Sequence, residues 1–183
     1  SVNNEMACAT CHLQSLAFTD GKARSDGTTG EITPRGSMSL ANIAYSSRLT
    51  WANHLLDRLE DHALSPLFGE EPVEMGMSGL EDRLTTLFSS DARYTEMFAD
   101  AFPDDDNPYS VANLTKALAS FQRTLLSYNT PFDAYMGGDP DALSDSAKRG
   151  LGLFLSERLE CFHCHGGFNL SDSIGHEATP FDE

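Results

Sequence analysis

The sequence predicts a mainly α-helical chain of two lobes divided near Pro140, with long loops between the helices. Three observations carry this reading. Apolar residues recur at helical spacing in several stretches, and no strand of any length is evident. A Cys-x-x-Cys-His motif stands close to each end of the chain, as Cys8, Cys11, His12 and as Cys161, Cys164, His165.

The elements follow in order. After the first motif, residues 19–36 carry Gly21, Gly27, Gly30, Pro34 and Gly36 without periodicity, which predicts an extended loop. Ser78-Gly79-Leu80-Glu81 has the capping-box pattern and opens a predicted helix through Leu84, Leu87 and Phe88. Ser90 is the predicted cap of the next helix, through Tyr94, Met97 and Phe98, and 104–108 (Asp-Asp-Asp-Asn-Pro) reads as a solvated turn. From Ser110, the stretch Val111 to Tyr128 places Leu114, Ala117, Leu118, Phe121 and Leu125 on one face, most simply a core face. Gly137-Gly138-Asp139-Pro140 breaks the chain, and Ser144 to Leu159 is a further predicted helix leading into the second motif. The expected lobes are therefore 1–139 and 140–183, with no repeats beyond the two motifs.

Cys-x-x-Cys-His is the attachment signature of a c-type haem. Both thiols add to the two vinyl groups on one porphyrin edge, and the adjacent imidazole reaches the iron axially. Two motifs imply two covalent haems. A zinc site is the first alternative, but zinc knuckles normally close within roughly 15 to 20 residues and do not need a His after each second Cys. Redox dithiols or disulfides are the second, but a thioredoxin-type motif should adjoin a βαβ pattern, and none is visible.

A length of 183 residues suits one ordinary domain or two small ones, so two haems would form a large share of the interior. The 40% hydrophobic and 22% charged contents are those of a globular chain, and no apolar run is long enough to span a bilayer. The net charge of −16 argues against nucleic acid or an anionic membrane as partner, since phosphate binding needs clustered Lys and Arg. A basic protein partner or a small neutral oxidant is compatible with it. Haem attachment to cysteine takes place outside the bacterial cytoplasm, so a periplasmic location is expected. The absence of a visible leader reads as a processed chain.

The residues also resemble a known family. Ala7-Cys8-Ala9-Thr10-Cys11-His12, Phe18-Thr19-Asp20-Gly21, Arg35, Leu40-Ala41-Asn42 and Trp51 resemble the first lobe of bacterial di-haem cytochrome c peroxidases and MauG-type enzymes. The match continues through Pro72-Val73-Glu74-Met75, Phe121-Gln122-Arg123-Thr124-Leu125 and Pro131-Phe132-Asp133-Ala134-Tyr135 to Cys161-Phe162-His163-Cys164-His165-Gly166-Gly167, nearly end to end. Ser65-Pro66-Leu67-Phe68 followed by Pro72-Val73-Glu74-Met75-Gly76 is most similar to the MbnH-like branch.

The resemblance implies roles residue by residue. His12 is similar to the proximal ligand of a peroxide-reacting haem, and His165 to an axial ligand of a second, electron-storing haem. Trp51 matches the tryptophan that passes electrons between the haems. Glu74 matches the distal glutamate, Pro66 lies in the same pocket wall, and His62 stands as a distal hydrogen-bonding group where many relatives have Gln. Read without the family, Glu74 could be a surface charge, and the sole tryptophan a packing residue. Met38, Met75, Met77, Met97 and Met136 are read as gap-filling hydrophobes, and His54, His163 and His176 as surface or loop residues.

Three departures from the family pattern bear on function. The loop from Ser25 to Ser37 lacks the His that blocks the first iron in the peroxidases, so that iron is expected to be open, as in the MauG-like branch. Gly36 stands where many relatives have Asn as ligand to a calcium ion between the haems, which leaves calcium open. The chain also looks short at both ends, so the rest of the second haem's pocket is expected from a separate chain or a further segment. The implied function is a periplasmic di-haem oxidoreductase using hydrogen peroxide. Its electron donor is a small redox protein or a residue of a partner protein, with the branch pointing to a copper-handling partner whose tryptophan is oxidised. The alternative is a non-catalytic di-haem electron-transfer cytochrome.

Overall fold

A computed structural model of the chain describes residues 1–51 and 53–173. Within them the chain is helical, and the only β pairing is three isolated bridges. Two compact units form among the described residues, one from 1–44 with 48–125, the other from 45–47 with the residues from 126 to 173. The expected lobe boundary after 139 falls inside the second unit, and it stands here as a separate proposal about which residues enclose each haem.

Among the described residues the first unit holds six α-helices: α1 (Cys8–Cys11), α2 (Leu59–His62), α3 (Leu64–Phe68), α4 (Glu81–Ser90), α5 (Ala92–Ala101) and α6 (Val111–Gln122). The apolar stripe of α6 does what its spacing predicts. Leu114 joins Leu67 of α3 and Phe98 of α5 in a buried cluster, packed about by Leu84, Phe88, Phe102, Tyr109 and Leu118. Phe98 is its centre, with ring centroids 5.3 Å from Phe88 and 6.3 Å from Tyr109. Ala119, on the same helix, closes a second cluster with Ile43, Leu49 and Leu59. Arg123, just past α6, donates to both carboxylate oxygens of Glu60 on α2 at 2.9 and 3.3 Å.

Several helix ends differ from the sequence reading. Helix α4 starts at Glu81, but the Ser78 hydroxyl donates to Glu70 Oε1 at 2.8 Å and caps nothing, so the predicted capping box does not form. Ser90 is the last residue of α4, and Asp91 caps α5 by accepting from the Arg93 N–H. Helix α6 stops at Gln122 instead of 128, where the Thr124 hydroxyl donates back to the Phe121 carbonyl and the Leu125 carbonyl accepts from the Asn42 N–H at 2.8 Å. Ser110 caps α6 and Ser144 caps the helix that starts at Asp145, their hydroxyls accepting from the Asn113 and Ala147 N–H groups, neither cap having been named from the sequence.

The second unit contains α7 (Pro131–Met136) and α8 (Asp145–Phe154). Thr130 and Asp133 make the reciprocal capping box of α7, with Pro131 at its first position. Helix α8 ends five residues before the predicted Leu159, where the Ser156 hydroxyl donates to the Leu153 carbonyl. The Phe154 ring at its end lies 6.4 Å from that of His165. Tyr45 meets Phe168 edge-on at 5.1 Å.

Truncating the central ring tests the first unit's core. Phe98→Ala is expected to destabilise the haem-loaded protein by about 3–5 kcal/mol in chemical denaturation, against under about 1.5 for a well-accommodated large apolar swap. A loss below about 1 kcal/mol would mean that the aromatic cluster is not the core.

Candidate haem-binding and peroxide site

Both motifs close in the same way. In each, the histidine N–H donates to the carbonyl of the first cysteine at 2.9 Å, His12 to Cys8 and His165 to Cys161, so thiols and imidazole share one helical turn. In each, the imidazole Nδ1–H then donates to a backbone carbonyl a few residues on. His12 reaches Phe18 at 2.7 Å and His165 reaches Leu170 at 3.2 Å. A carbonyl can only accept, so the proton sits on Nδ1 and the Nε2 lone pair is left for a metal. Sequence reasoning did not identify these carbonyls. The only signal was that Phe18 opens one of the family-like stretches.

The cysteines fit haem attachment better than the alternatives. None is paired in a disulfide, and no group of three or more His, Cys, Asp or Glu side chains is gathered for a metal ion among the described residues. Burial, reinforced by the charges of Asp20 and Glu74, pushes the Cys11 thiol above its ordinary value, the opposite of a redox-active cysteine.

Two of the predicted pocket residues, His62 and Glu74, lie within electrostatic reach of His12. His62 ends α2 and is half-buried, and burial followed by the charge of His12 lowers its pKa. Glu74 is half-buried too, and burial raises its carboxyl above the ordinary range, with His12 opposing. Pro66 lies within α3, and its carbonyl accepts from the Met75 N–H at 3.0 Å, fixing the residue beside Glu74. From the other side the Thr28 N–H donates to the Glu74 carbonyl at 2.8 Å, and Glu31 Oε2 accepts from the Val73 N–H at 2.8 Å. Gly27 permits this approach, because a side-chain carbon there would collide with the Val73 carbonyl oxygen. The half-buried Glu74 is therefore more than a surface charge.

Trp51 is not the buried packing residue that a lone tryptophan suggests. It is 58% exposed, its Nε1–H donates to the Gly36 carbonyl at 3.0 Å, and the Arg35 guanidinium carbon stands 5.9 Å from the ring centroid. His54 and His163 are exposed, whereas His176 lies outside the described residues. Met77 is buried and Met97 and Met136 are exposed.

A model of the di-haem cytochrome c peroxidase family matches residues 1–141, and the chain belongs to that family. Membership implies haem c as cofactor. The chain is 33% identical to the methylamine utilization protein MauG of Methylorubrum extorquens over 97% of its own length and 48% of MauG's. It is likewise 33% identical to the cytochrome-c peroxidase IdrP1 of a Pseudomonas species, over 94% of this chain and 44% of that one. The crystal structure of a MauG-like protein associated with microbial copper homeostasis superposes with a TM-score of 0.90 at 40% identity, covering 98% of this chain and 51% of that chain. The chain thus spans about half the length of the relatives it matches.

The direction of the Glu74 shift sets a pH dependence. A carboxyl raised by burial favours folding while protonated and loses that contribution as pH climbs from its unfolded value, near 4.5, through its folded value. Glu74→Gln is expected to match the parent in stability below pH 4.5 and to exceed it progressively above. Denaturation curves that stay parallel across that range would show that Glu74 is not desolvated.

Proposed function

We propose that this protein is a periplasmic di-haem c-type oxidoreductase that reacts with hydrogen peroxide. One haem is held by Cys8, Cys11 and His12, the other by Cys161, Cys164 and His165, and electrons pass between them by way of Trp51. The observation that carries the reading is the placement of Glu74, a half-buried carboxyl biased toward its protonated form within electrostatic reach of His12.

When bound, the haem iron supplies the electrons that reduce peroxide. The protein's own work is positional and acid–base. His12, with Nδ1 committed to the Phe18 carbonyl, would offer its Nε2 lone pair to the iron. The Glu74 carboxylate takes a proton from one peroxide oxygen and returns it to the other as O–O cleavage releases water. Burial moves its pKa toward working pH, which suits a group that must both accept and donate. His62, its pKa lowered, is a neutral imidazole able to hold a hydrogen bond to the same ligand. Pro66 contributes its carbonyl and ring to the wall beside it. A calcium ion stays outside the proposal: Gly36 offers no side-chain donor, and a Cβ there would collide with the Lys22 carbonyl oxygen.

The electron donor is read as a residue of a partner protein in copper handling, oxidised in place. This is supported by the 40% identity to a MauG-like protein associated with microbial copper homeostasis. The net charge of −16 suits a basic face on that partner.

Glu74→Gln is expected to leave both haems attached and to slow the reaction with peroxide by ~10² to 10⁴ in stopped-flow absorbance; an unchanged rate removes Glu74 from the mechanism. Trp51→Phe should uncouple the haems, read as loss of oxidising-equivalent sharing in freeze-quenched paramagnetic resonance spectra, and undiminished sharing counts against the relay. Two low-spin irons that ignore peroxide in the parent protein would identify an electron carrier instead.

A further inference from the structure

The indole of Trp51 is contacted by two consecutive residues with opposite electrostatic effect. The Gly36 carbonyl accepts its Nε1–H, and the Arg35 guanidinium stands over its face. Arg35, Gly36 and Trp51 line one groove with Lys22, Ala23 and Ser37. Lys22, the other cation there, is bound to Asp26 at 2.6 Å, whereas Arg35 has no carboxylate partner among the described residues. Its charge is therefore the uncompensated one beside the ring.

We propose that Arg35 is a positioning residue that acts through Trp51 and keeps the oxidised indole short-lived. The inference rests on the relay reading of Trp51 and goes beyond it. In the relay, one electron leaves the indole for the peroxide-oxidised cofactor, and one returns from the reduced donor. No proton follows the first electron. Among the described residues the group hydrogen-bonded to Nε1–H is a peptide carbonyl, which accepts a hydrogen bond but is far too weak a base to take the proton. The ring therefore carries a full positive charge while it is oxidised.

The contact with Arg35 then changes sign. A cation is attracted to the face of a neutral indole and repelled by the same face once it is positive. Loss of the attraction alone, for an exposed pair, corresponds to about two- to five-fold in population against the oxidised state. In a chain of net charge −16, whose overall field favours a positive ring, this local cation works against accumulation of the radical. The electron hole passes through Trp51 and does not rest there, so a half-exposed indole is spared side reactions with solvent and peroxide.

The test uses the full-length, haem-loaded protein as parent and as Arg35→Gln, Arg35→Met, Arg35→Lys and Trp51→Phe, matched for haem content by absorbance. Each is mixed with one equivalent of hydrogen peroxide, freeze-quenched and read by electron paramagnetic resonance. The signal absent from Trp51→Phe defines the Trp51 radical. The two neutral variants are expected to raise that signal about two- to five-fold over the parent, with the increment shrinking at high salt, while Arg35→Lys, which keeps the charge but not the planar group, restores the parent level. A signal in both neutral variants no larger than the parent's overturns the inference, as does Arg35→Lys matching the neutral variants, since packing would then be responsible. If Trp51→Phe leaves sharing between the haems intact, the relay reading falls and this inference with it. If Trp51→Phe abolishes sharing and the neutral variants still match the parent, the Arg35 inference alone falls.

Discussion

The hydrogen bond from an imidazole Nδ1 to a backbone carbonyl governs what either motif can do. The Cys-x-x-Cys-His spacing brings a histidine onto the same turn as two thiols, but spacing alone does not choose the tautomer. At His12 the Phe18 carbonyl does, and at His165 the Leu170 carbonyl does. Each bond orients a ring and leaves one lone pair free, which is what an axial ligand needs. The arrangement is built twice, from a short α-helix at the first motif and a 3₁₀ turn at the second, so the backbone differs while the constraint on the ring is the same.

Local chemistry was the part of the structure legible in sequence. The α6 stripe and the loop after the first motif follow from side chains acting on their own neighbours. The reading failed at helix ends, in two cases because a side chain or carbonyl had a partner outside its own turn. Ser78 looks like a cap until Glu70 takes its hydroxyl, and the periodicity of α6 runs past the point where the Leu125 carbonyl is claimed by Asn42. The site divides the same way. Glu74 and His62 could be named from the resemblance, but the segment that carries Glu74 is held by Thr28, Glu31 and Pro66 through backbone bonds that no local pattern shows.

Burial acts on those two groups in opposite senses. Removing solvent disfavours the charged form of each, so the carboxyl of Glu74 rises and the imidazole of His62 falls. For both, desolvation outweighs the effect of His12, which is opposed at Glu74 and reinforcing at His62. A single physical cause thus moves an acid and a base toward neutrality at the same place. That outcome suits proton exchange with a small uncharged ligand better than it suits binding of an ion.

The aperiodic loop between residues 13 and 37 joins these threads. It supplies the Phe18 carbonyl that fixes His12, the Thr28 N–H and Glu31 carboxylate that fix the Glu74 segment, and the Arg35–Gly36 pair that holds Trp51. Ser37 ties it back to the Cys11 carbonyl at 2.6 Å. Inside it, buried Ser25 and Thr33 pair with each other, and Asp20 accepts from the Ser25 hydroxyl at 2.7 Å, so the loop is riveted by its own polar groups without a regular ladder. A helix or strand presents side chains at a fixed period and could not aim backbone carbonyls at both an imidazole and an indole within twenty residues. The glycines that erase periodicity from this stretch are what allow the backbone to approach Val73 and Lys22 closely enough to do so.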